Sequence, residues 1–151
     1  YSDYREGDCG CDPNMLKSQL VLAAPASVEL PAEIEFADLS GKALVLPSIH
    51  NGLRTIVDRI AARMHFTLNV VVDADSIHAQ KLIARQCGCC MIKVFHTVAE
   101  EIEKGEISAS RIVNPTIHRR VMLVTTHQRP LSRAAREVAS RIECILKQLH
   151  Q

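Results

Sequence analysis

Aromatic residues are scarce in this chain of 151 residues, which has two Tyr, three Phe and no Trp. Surfaces that bind single-stranded nucleic acid stack the bases on aromatic side chains, so this composition argues against such a surface. An excess of positive charge is also lacking, because 18 Lys and Arg stand against 17 Asp and Glu and leave a formal net charge of +1. Domains that bind the phosphate backbone by themselves are usually clearly basic. We therefore expect no direct DNA contact from these residues.

Long apolar runs and catalytic signatures are missing as well. No segment approaches the roughly 18 consecutive apolar residues of a membrane span, and no signal peptide opens the chain. The polar start, residues 1–8, lacks an initiator Met, and we interpret the chain as an interior piece of a longer protein. There is no P-loop, Gly-x-Gly-x-x-Gly or Ser–His–Asp order. We expect neither an enzyme nor a bound cofactor, and no membrane partner.

The six cysteines are too few for a disulfide scaffold, but they raise the question of a metal or redox site. Cys87 and Cys90 have the two-residue gap of a zinc knuckle, and Cys9 with Cys11 would supply two more thiolates. The two groups lie far apart in sequence, and cysteine also packs as a small hydrophobic residue. We expect a reduced, cytoplasmic protein with no metal. A cysteine-based metal or redox sensor is kept as an alternative.

Strand-like and helix-like segments alternate along the chain, which predicts an α/β fold with largely parallel strands. Amphipathic spacing predicts helices over residues 53–64, 76–86 and 131–149, the last with Ser132 as its N-cap. A further short helix is predicted from Thr97, because Thr97 and Glu100 have the spacing of a capping box. Strands are predicted over residues 18–24, 42–46, 68–72, 90–94 and 117–126.

Two strand-to-helix junctions carry polar residues. The strand at 42–46 leads through Pro47, Ser48 and Asn51 into a helix, and the strand at 68–72 leads through Ser76 into another. In open α/β sheets, ligands lie beyond the carboxyl ends of strands, where helix starts present free backbone N–H groups. Ser48, Asn51 and Ser76 could therefore orient a small anion such as a carboxylate. Ser and Asn are equally ordinary N-caps at these positions, with no ligand involved.

From Leu16 onward the chain resembles the effector-binding half of LysR-type transcriptional regulators. The matching segments follow the family's order and are LVLAAP at 20–25, DLSG at 38–41, LVLP at 44–47, DSI at 75–77, ARQCGCC at 84–90 and RPLSRAAR at 129–136. Two positions differ from the family pattern. Cys90 stands where the family has the second glycine of a turn, and Val94 stands where it has a proline.

The resemblance implies a two-lobed fold like that of the type II periplasmic solute-binding proteins, here without the first part of lobe I. Residues 1–22 and 120–151 would form the partial lobe I, and residues 23–119 would form lobe II. Apolar surface of such a fragment would stay uncovered unless another chain or an altered packing covers it. A free-standing solute-binding protein shares this fold and is a second alternative, but it would carry a secretion signal and fewer free thiols.

The resemblance also implies the function. A small-molecule effector, which we expect to be anionic, would bind between the lobes. Pro47, Ser48 and Ser76 would line this cleft, and the segment that contains Val94, Phe95 and Thr97 would flank it. The sensor domains would assemble as a homodimer or tetramer. DNA would be bound only by an N-terminal winged helix-turn-helix that this chain lacks.

Overall fold

The computed structural model describes residues 16–121 and 132–148, which contain seven strands and four α-helices. The strands are Leu16–Pro25 (β1), Glu33–Glu35 (β2), Leu44–Leu46 (β3), Val70–Asp73 (β4), Cys90–Val94 (β5), Ile107–Val113 (β6) and His118–Val121 (β7). The helices are Gly52–Arg63 (α1), Ile77–Cys87 (α2), Ala99–Glu103 (α3) and Arg133–Gln148 (α4), and 3-10 turns cover Phe36–Gly41 and Phe95–Thr97.

The strands form one mixed sheet in the order β2-β6-β1-β5-β3-β4, with β7 beside β1. Strand β3 is parallel to β4 and β5, and β2 is parallel to β6. Strand β1 is antiparallel to both β5 and β6. Parallel neighbours need a crossover connection, and α1 and α2 supply the crossovers from β3 to β4 and from β4 to β5. The predicted parallel arrangement is therefore correct for β3, β4 and β5 and wrong for β1.

The sheet has an apolar core on each face. Helix α1 buries Leu53, Val57 and Ala61 against one face, among the side chains of β1, β3 and β5. Helix α2 buries Ala84 against the other face, beside Met91 and its neighbours. All three residues of β3 are buried, as expected for a strand covered on both faces. The packing of α1 and α2 on opposite faces fixes the positions of the turns that precede them.

Most predicted elements are present. Helix α2 begins directly after Ser76, and β5 has the predicted bounds. Ser132 caps α4, because its Oγ accepts a hydrogen bond from the backbone N–H of Ala135 at 3.1 Å. The strand predicted at 117–126 is observed as β7 up to Val121, and residues 122–126 lie outside the described ranges.

Strands β2 and β6 were not predicted, and β6 is seven residues long. Its sequence, ISASRIV, contains small polar residues that weaken a β-strand pattern. Ser108 Oγ donates to the backbone oxygen of Val28 at 2.7 Å, and Ser110 is fully buried. The strand forms because it pairs with β1 over five residues, a long-range contact that local composition does not reveal.

The chain divides into two compact units. One is Gln19–Ile117, and the other joins Tyr1–Ser18 with His118–Gln151. The described part of the second unit includes α4, whose apolar residues Val138, Ile142 and Ile145 are exposed. Within the described ranges, no helix has both the length and the hydropathy that crossing a bilayer requires.

Candidate functional site

The carboxyl ends of β5, β3 and β4 meet at one edge of the sheet, because these three strands are adjacent and parallel. We call the three turns that follow them, residues 47–51, 74–76 and 95–97, the carboxyl edge. All the residues predicted to bind the effector lie in these turns or at the last position of β5, and they are Pro47, Ser48, Asn51, Ser76, Val94, Phe95 and Thr97. The fold thus gathers residues that are nearly 50 positions apart in the sequence.

Asn51 and Ser76 act as N-caps of α1 and α2. Asn51 Oδ1 accepts from the backbone N–H of Leu53 at 3.0 Å, and Ser76 Oγ accepts from that of Ala79 at 3.4 Å. The alternative of ordinary helix caps therefore describes how these two side chains are used. Ser76 is exposed and Asn51 is half-buried, so both remain within reach of solvent.

The backbone N–H of Ser48 donates to Asp75 Oδ1 at 2.9 Å. This bond joins the turn after β3 to the turn after β4. The backbone and side chain of Ser48 both donate to Asp75, and these bonds hold the pKa of the exposed carboxyl below its usual value. Asp75 is therefore ionised at neutral pH. The N–H group that the sequence suggested for an effector anion already binds a carboxylate of the protein.

Arg54 connects the same two turns from the first part of α1. Its guanidinium donates to the backbone oxygen of Pro47 at 3.2 Å, to Asp73 Oδ1 at 2.7 Å and to Asp58 Oδ2 at 2.8 Å. Desolvation opposes its charge, but the hydrogen bonds to Asp73 and Asp58 outweigh desolvation and raise the pKa of Arg54. Both carboxylates balance this guanidinium, so it is committed to holding the edge together.

The segment after β5 differs from its prediction. The predicted capping box of Thr97 and Glu100 is wrong, because α3 starts at Ala99 and its N-cap, Val98, makes no side-chain capping bond. Thr97 Oγ1 instead donates to the backbone oxygen of Val94 at 2.5 Å and closes a 3-10 turn. A threonine hydroxyl satisfied by a local carbonyl does not reach forward to a helix. In this turn Phe95 is exposed at the surface.

A buried polar pair lies directly beneath the carboxyl edge. Lys93 on β5 is 7% exposed and Gln80 on α2 is 1% exposed. The Lys93 ammonium donates to Gln80 Oε1, and the Gln80 amide donates to the backbone oxygen of Ala74. Burial, with a smaller contribution from the nearby charge of Lys81, lowers the pKa of Lys93 to about 8. Sequence reasoning missed this pair, although a single lysine inside the apolar strand CMIKV is a visible signal.

A cavity of about 230 Å³ lies elsewhere, between α2, α3 and the sheet. Its walls include the apolar side chains of Met91, Ile107 and Leu82. Ion pairs between α2 and the α3–β6 region border it, Lys81 with Glu101 and Arg85 with Glu106. The residues of the carboxyl edge do not line this cavity.

The cysteine candidates separate into different environments. Cys87 is exposed at the last position of α2, whereas Cys90 is buried at the first position of β5. Desolvation raises the pKa of the Cys90 thiol and of the buried Cys89 thiol, which keeps both protonated and poorly reactive at neutral pH. Among the described residues, no three His, Cys, Asp or Glu side chains are grouped to hold a metal. Cys9 and Cys11 lie outside the described ranges.

Comparison with protein families gives one family match, and it covers most of the chain. The model of the LysR substrate-binding domain matches residues 10–144. No curated protein matches the chain.

Solved structures with the same fold include regulatory domains and a longer regulator. The CcmR regulatory domain of Synechocystis PCC6803, in complex with 2-PG, has a TM-score of 0.79 and 21% identity over 97% of this chain and 72% of that one. HinK, a LysR family transcriptional regulator from Pseudomonas aeruginosa, has a TM-score of 0.73 and 13% identity over 97% of this chain and 52% of its own. The effector-binding domain of QuiR, in complex with shikimate, has a TM-score of 0.73 and 17% identity over 96% of this chain and 69% of its own.

These likenesses identify the fold as the α/β, periplasmic-binding-protein-like type II fold of LysR regulatory domains. The chain spans about half of the length of HinK and about seven-tenths of the two domain structures.

Proposed function

We propose, from the premise that this chain belongs to the LysR substrate-binding-domain family, that it is the ligand-sensing part of a bacterial transcription regulator. This family is regulatory, not catalytic, and its domains bind small molecules, as the 2-PG and shikimate complexes of two similar structures illustrate. The chain carries an effector site at the carboxyl edge. Binding changes the preferred arrangement of the protein, and the change is passed to the DNA-binding region of the regulator.

The observation that supports the site is the meeting of three strand ends at one edge. Backbone groups and short polar side chains there can hold a small polar molecule, as at other α/β sheet edges. The contributing residues are Pro47, Ser48, Asn51, Ser76, Val94, Phe95 and Thr97. We assign residues 23–119 to lobe II and residues 1–22 with 120–151 to a partial lobe I, so the carboxyl edge belongs to lobe II.

Further properties of the whole protein follow from the same proposal. The sensor pairs with a second copy, as a homodimer or a larger oligomer, and DNA is contacted only through a separate N-terminal domain. The protein acts in the cytoplasm and is not an enzyme.

A thermal-shift screen of small carboxylates, phosphorylated acids and amino acids tests the proposal. A ligand that binds only the folded state raises the unfolding temperature, and the rise grows with the logarithm of its concentration once that concentration exceeds Kd. Two variants locate the site, because each removes one exposed apolar side chain of similar exposure. Phe95→Ala lies at the carboxyl edge, and Leu82→Ala lies at the α2–α3 cavity.

We expect Phe95→Ala to reduce the ligand-induced shift and Leu82→Ala to leave it unchanged. A shift that only Leu82→Ala reduces would move the site to the cavity and contradict the proposal. A shift produced by divalent metals or thiol oxidants, and by no organic compound, would favour the cysteine-based sensor instead.

A further inference from the structure

The carboxyl edge offers few positive groups that are free to bind an acidic effector. The N–H of Ser48 already donates to the Asp75 carboxylate at 2.9 Å. The guanidinium of Arg54 is held by Asp58, Asp73 and the backbone oxygen of Pro47. An organic acid that approached either group would meet a fixed negative charge, so neither one explains how such an effector would be bound.

Lys93 is different because, in the part of the chain that the structure describes, no carboxylate forms an ion pair with it. Its ammonium group has three N–H donors, and the acceptor that the structure gives it is the neutral amide oxygen of Gln80. Within the described ranges, no carboxylate lies within 4.0 Å of this ammonium, whereas Lys81 and Lys104 each pair with a glutamate. An ammonium that is buried without a partner of opposite charge is costly to the fold, so a functional reason for it should be sought.

The position of Lys93 is suited to such a role. Exposure increases from 0% at Ile92 to 7% at Lys93 on β5, and reaches 44% at Phe95 in the turn that follows, so the lysine lies near the point where the chain leaves the core. Its partner Gln80 is fixed by its bond to the oxygen of Ala74, which belongs to the turn after β4. Lys93 is thereby tied to the turn after β4, and it lies two residues before the turn that follows β5.

We propose that Lys93 binds the acidic group of the effector, a carboxylate or phosphate of a small organic acid, at the carboxyl edge. This inference rests on the proposed function and names the class of ligand. Gln80 orients the ammonium, and the acid supplies a counterion to the donors that Gln80 leaves unused. The long flexible stem of lysine allows the ammonium to move the short distance to the surface.

The first test measures the ammonium directly in the full chain. Lysine labelled with ¹³C at Cε reports the protonation of each amino group, and the Lys93 signal is assigned by its loss in Lys93→Met. Acetate and inorganic phosphate are the probes. We expect both anions to raise the apparent pKa of Lys93 and to leave that of Lys104 unchanged. No change at Lys93 with either anion would overturn the proposal.

The second test compares organic acids with their neutral methyl esters by titration calorimetry, using succinate, 2-oxoglutarate and shikimate. We expect acids to bind and esters to bind far more weakly. Lys93→Met should weaken acid binding about tenfold or more, since an ionic partner is lost, while Lys104→Met should not. Replacing Lys93 by methionine removes a buried charge and keeps a long apolar chain, so the variant is expected to fold.

The outcomes separate this inference from the proposed function. Acids that bind Lys93→Met as tightly as the parent chain would refute the role of Lys93 while leaving an effector sensor in place. Methyl esters that bind as tightly as the acids would also refute the role of Lys93 and leave the effector sensor in place. If Phe95→Ala and Lys93→Met both leave organic-acid binding unchanged, the carboxyl edge itself is excluded and both proposals fail.

Discussion

The carboxylate of Asp75 accepts a hydrogen bond from the backbone N–H of Ser48 at 2.9 Å, although the two residues belong to turns that follow different strands. A protein carboxylate thus sits at the helix start where sequence reasoning expected an external anion. Its carboxylate is exposed, and hydrogen bonds from Ser48, with a smaller electrostatic contribution from His50, favour its charged form. Asp75 should therefore oppose the binding of any acid at this edge.

Replacing Asp75 by asparagine should make organic acids bind several-fold more tightly. The substitution keeps an oxygen that can accept from Ser48 and removes the negative charge that repels an approaching acid. Titration of shikimate and 2-oxoglutarate at low and high salt measures the change, and the gain should shrink as salt screens it. Glu103→Gln removes an exposed carboxylate from α3 and serves as control. Weaker acid binding in Asp75→Asn would mean that the carboxylate assists the effector.

The secondary structure around the site was predictable because local patterns determine it. Leu53, Val57 and Ala61 form one apolar stripe, and that stripe alone predicts helix α1 and the face it buries. The all-apolar sequence of β3 predicts a strand covered on both sides. Two such strands, each followed by a helix, imply that their ends lie at one edge, so the position of the site followed from the order of elements.

The charges of the site were not predictable in the same way. The bonds from Ser48 to Asp75 and from Arg54 to Asp73 join residues 27 and 19 positions apart. Sequence spacing predicts which residues share a helix face, but it does not predict which side chains of two separate turns approach each other. Lys93 was overlooked for a related reason, because its burial depends on Gln80 of another element.

The two N-caps at the carboxyl edge should contribute unequally to stability. Asn51→Ala should lower the free energy of unfolding by about 1 kcal/mol, the usual effect of losing a helix cap. Ser76→Ala should cost less, because the Ser76 Oγ accepts over 3.4 Å compared with 3.0 Å for Asn51 Oδ1. Urea unfolding monitored by circular dichroism measures both. Asn51→Asp retains a capping oxygen and should unfold like the parent chain. If Asn51→Asp and Asn51→Ala lose the same free energy of unfolding, Asn51 does not act as a cap.

Gln80 should be more important for stability than an ordinary helix residue. Gln80→Leu leaves the Lys93 ammonium and the oxygen of Ala74 without their partner, and an unsatisfied buried group costs about 1–3 kcal/mol. Combining Gln80→Leu with Lys93→Met should recover most of the loss, because the buried charge is then gone as well. A double-mutant cycle from urea unfolding gives this coupling. Additive effects of the two substitutions would show that the pair is not energetically linked.

Because of Lys93, the free energy of unfolding should vary with pH in the alkaline range. Burial is the main reason that its pKa falls from an ordinary value of 10.5 to about 8, and the charge of Lys81 on α2 adds to it. Gln80 on α2 is neutral, as is Val21, the residue opposite on β1. Between these two pKa values the unfolded chain binds more protons than the folded one, so the free energy of unfolding rises with pH. Below pH 8 the full cost of the buried charge is present.

Comparing the parent chain with Lys93→Met isolates this contribution, because other titrating groups are common to both. At pH 7 the variant should be more stable by about 3 kcal/mol, from 1.36 kcal/mol for each unit of the change in the pKa of Lys93. The difference should narrow between pH 8 and pH 10.5, because the folded parent has lost a proton that the unfolded chain still holds, and roughly a quarter of the difference should remain at pH 10. Urea unfolding at pH 7, 8, 9 and 10 tests the prediction. Two curves that run parallel across this range would mean that the ammonium is not desolvated, and that Lys93 already meets solvent or a counterion at the carboxyl edge.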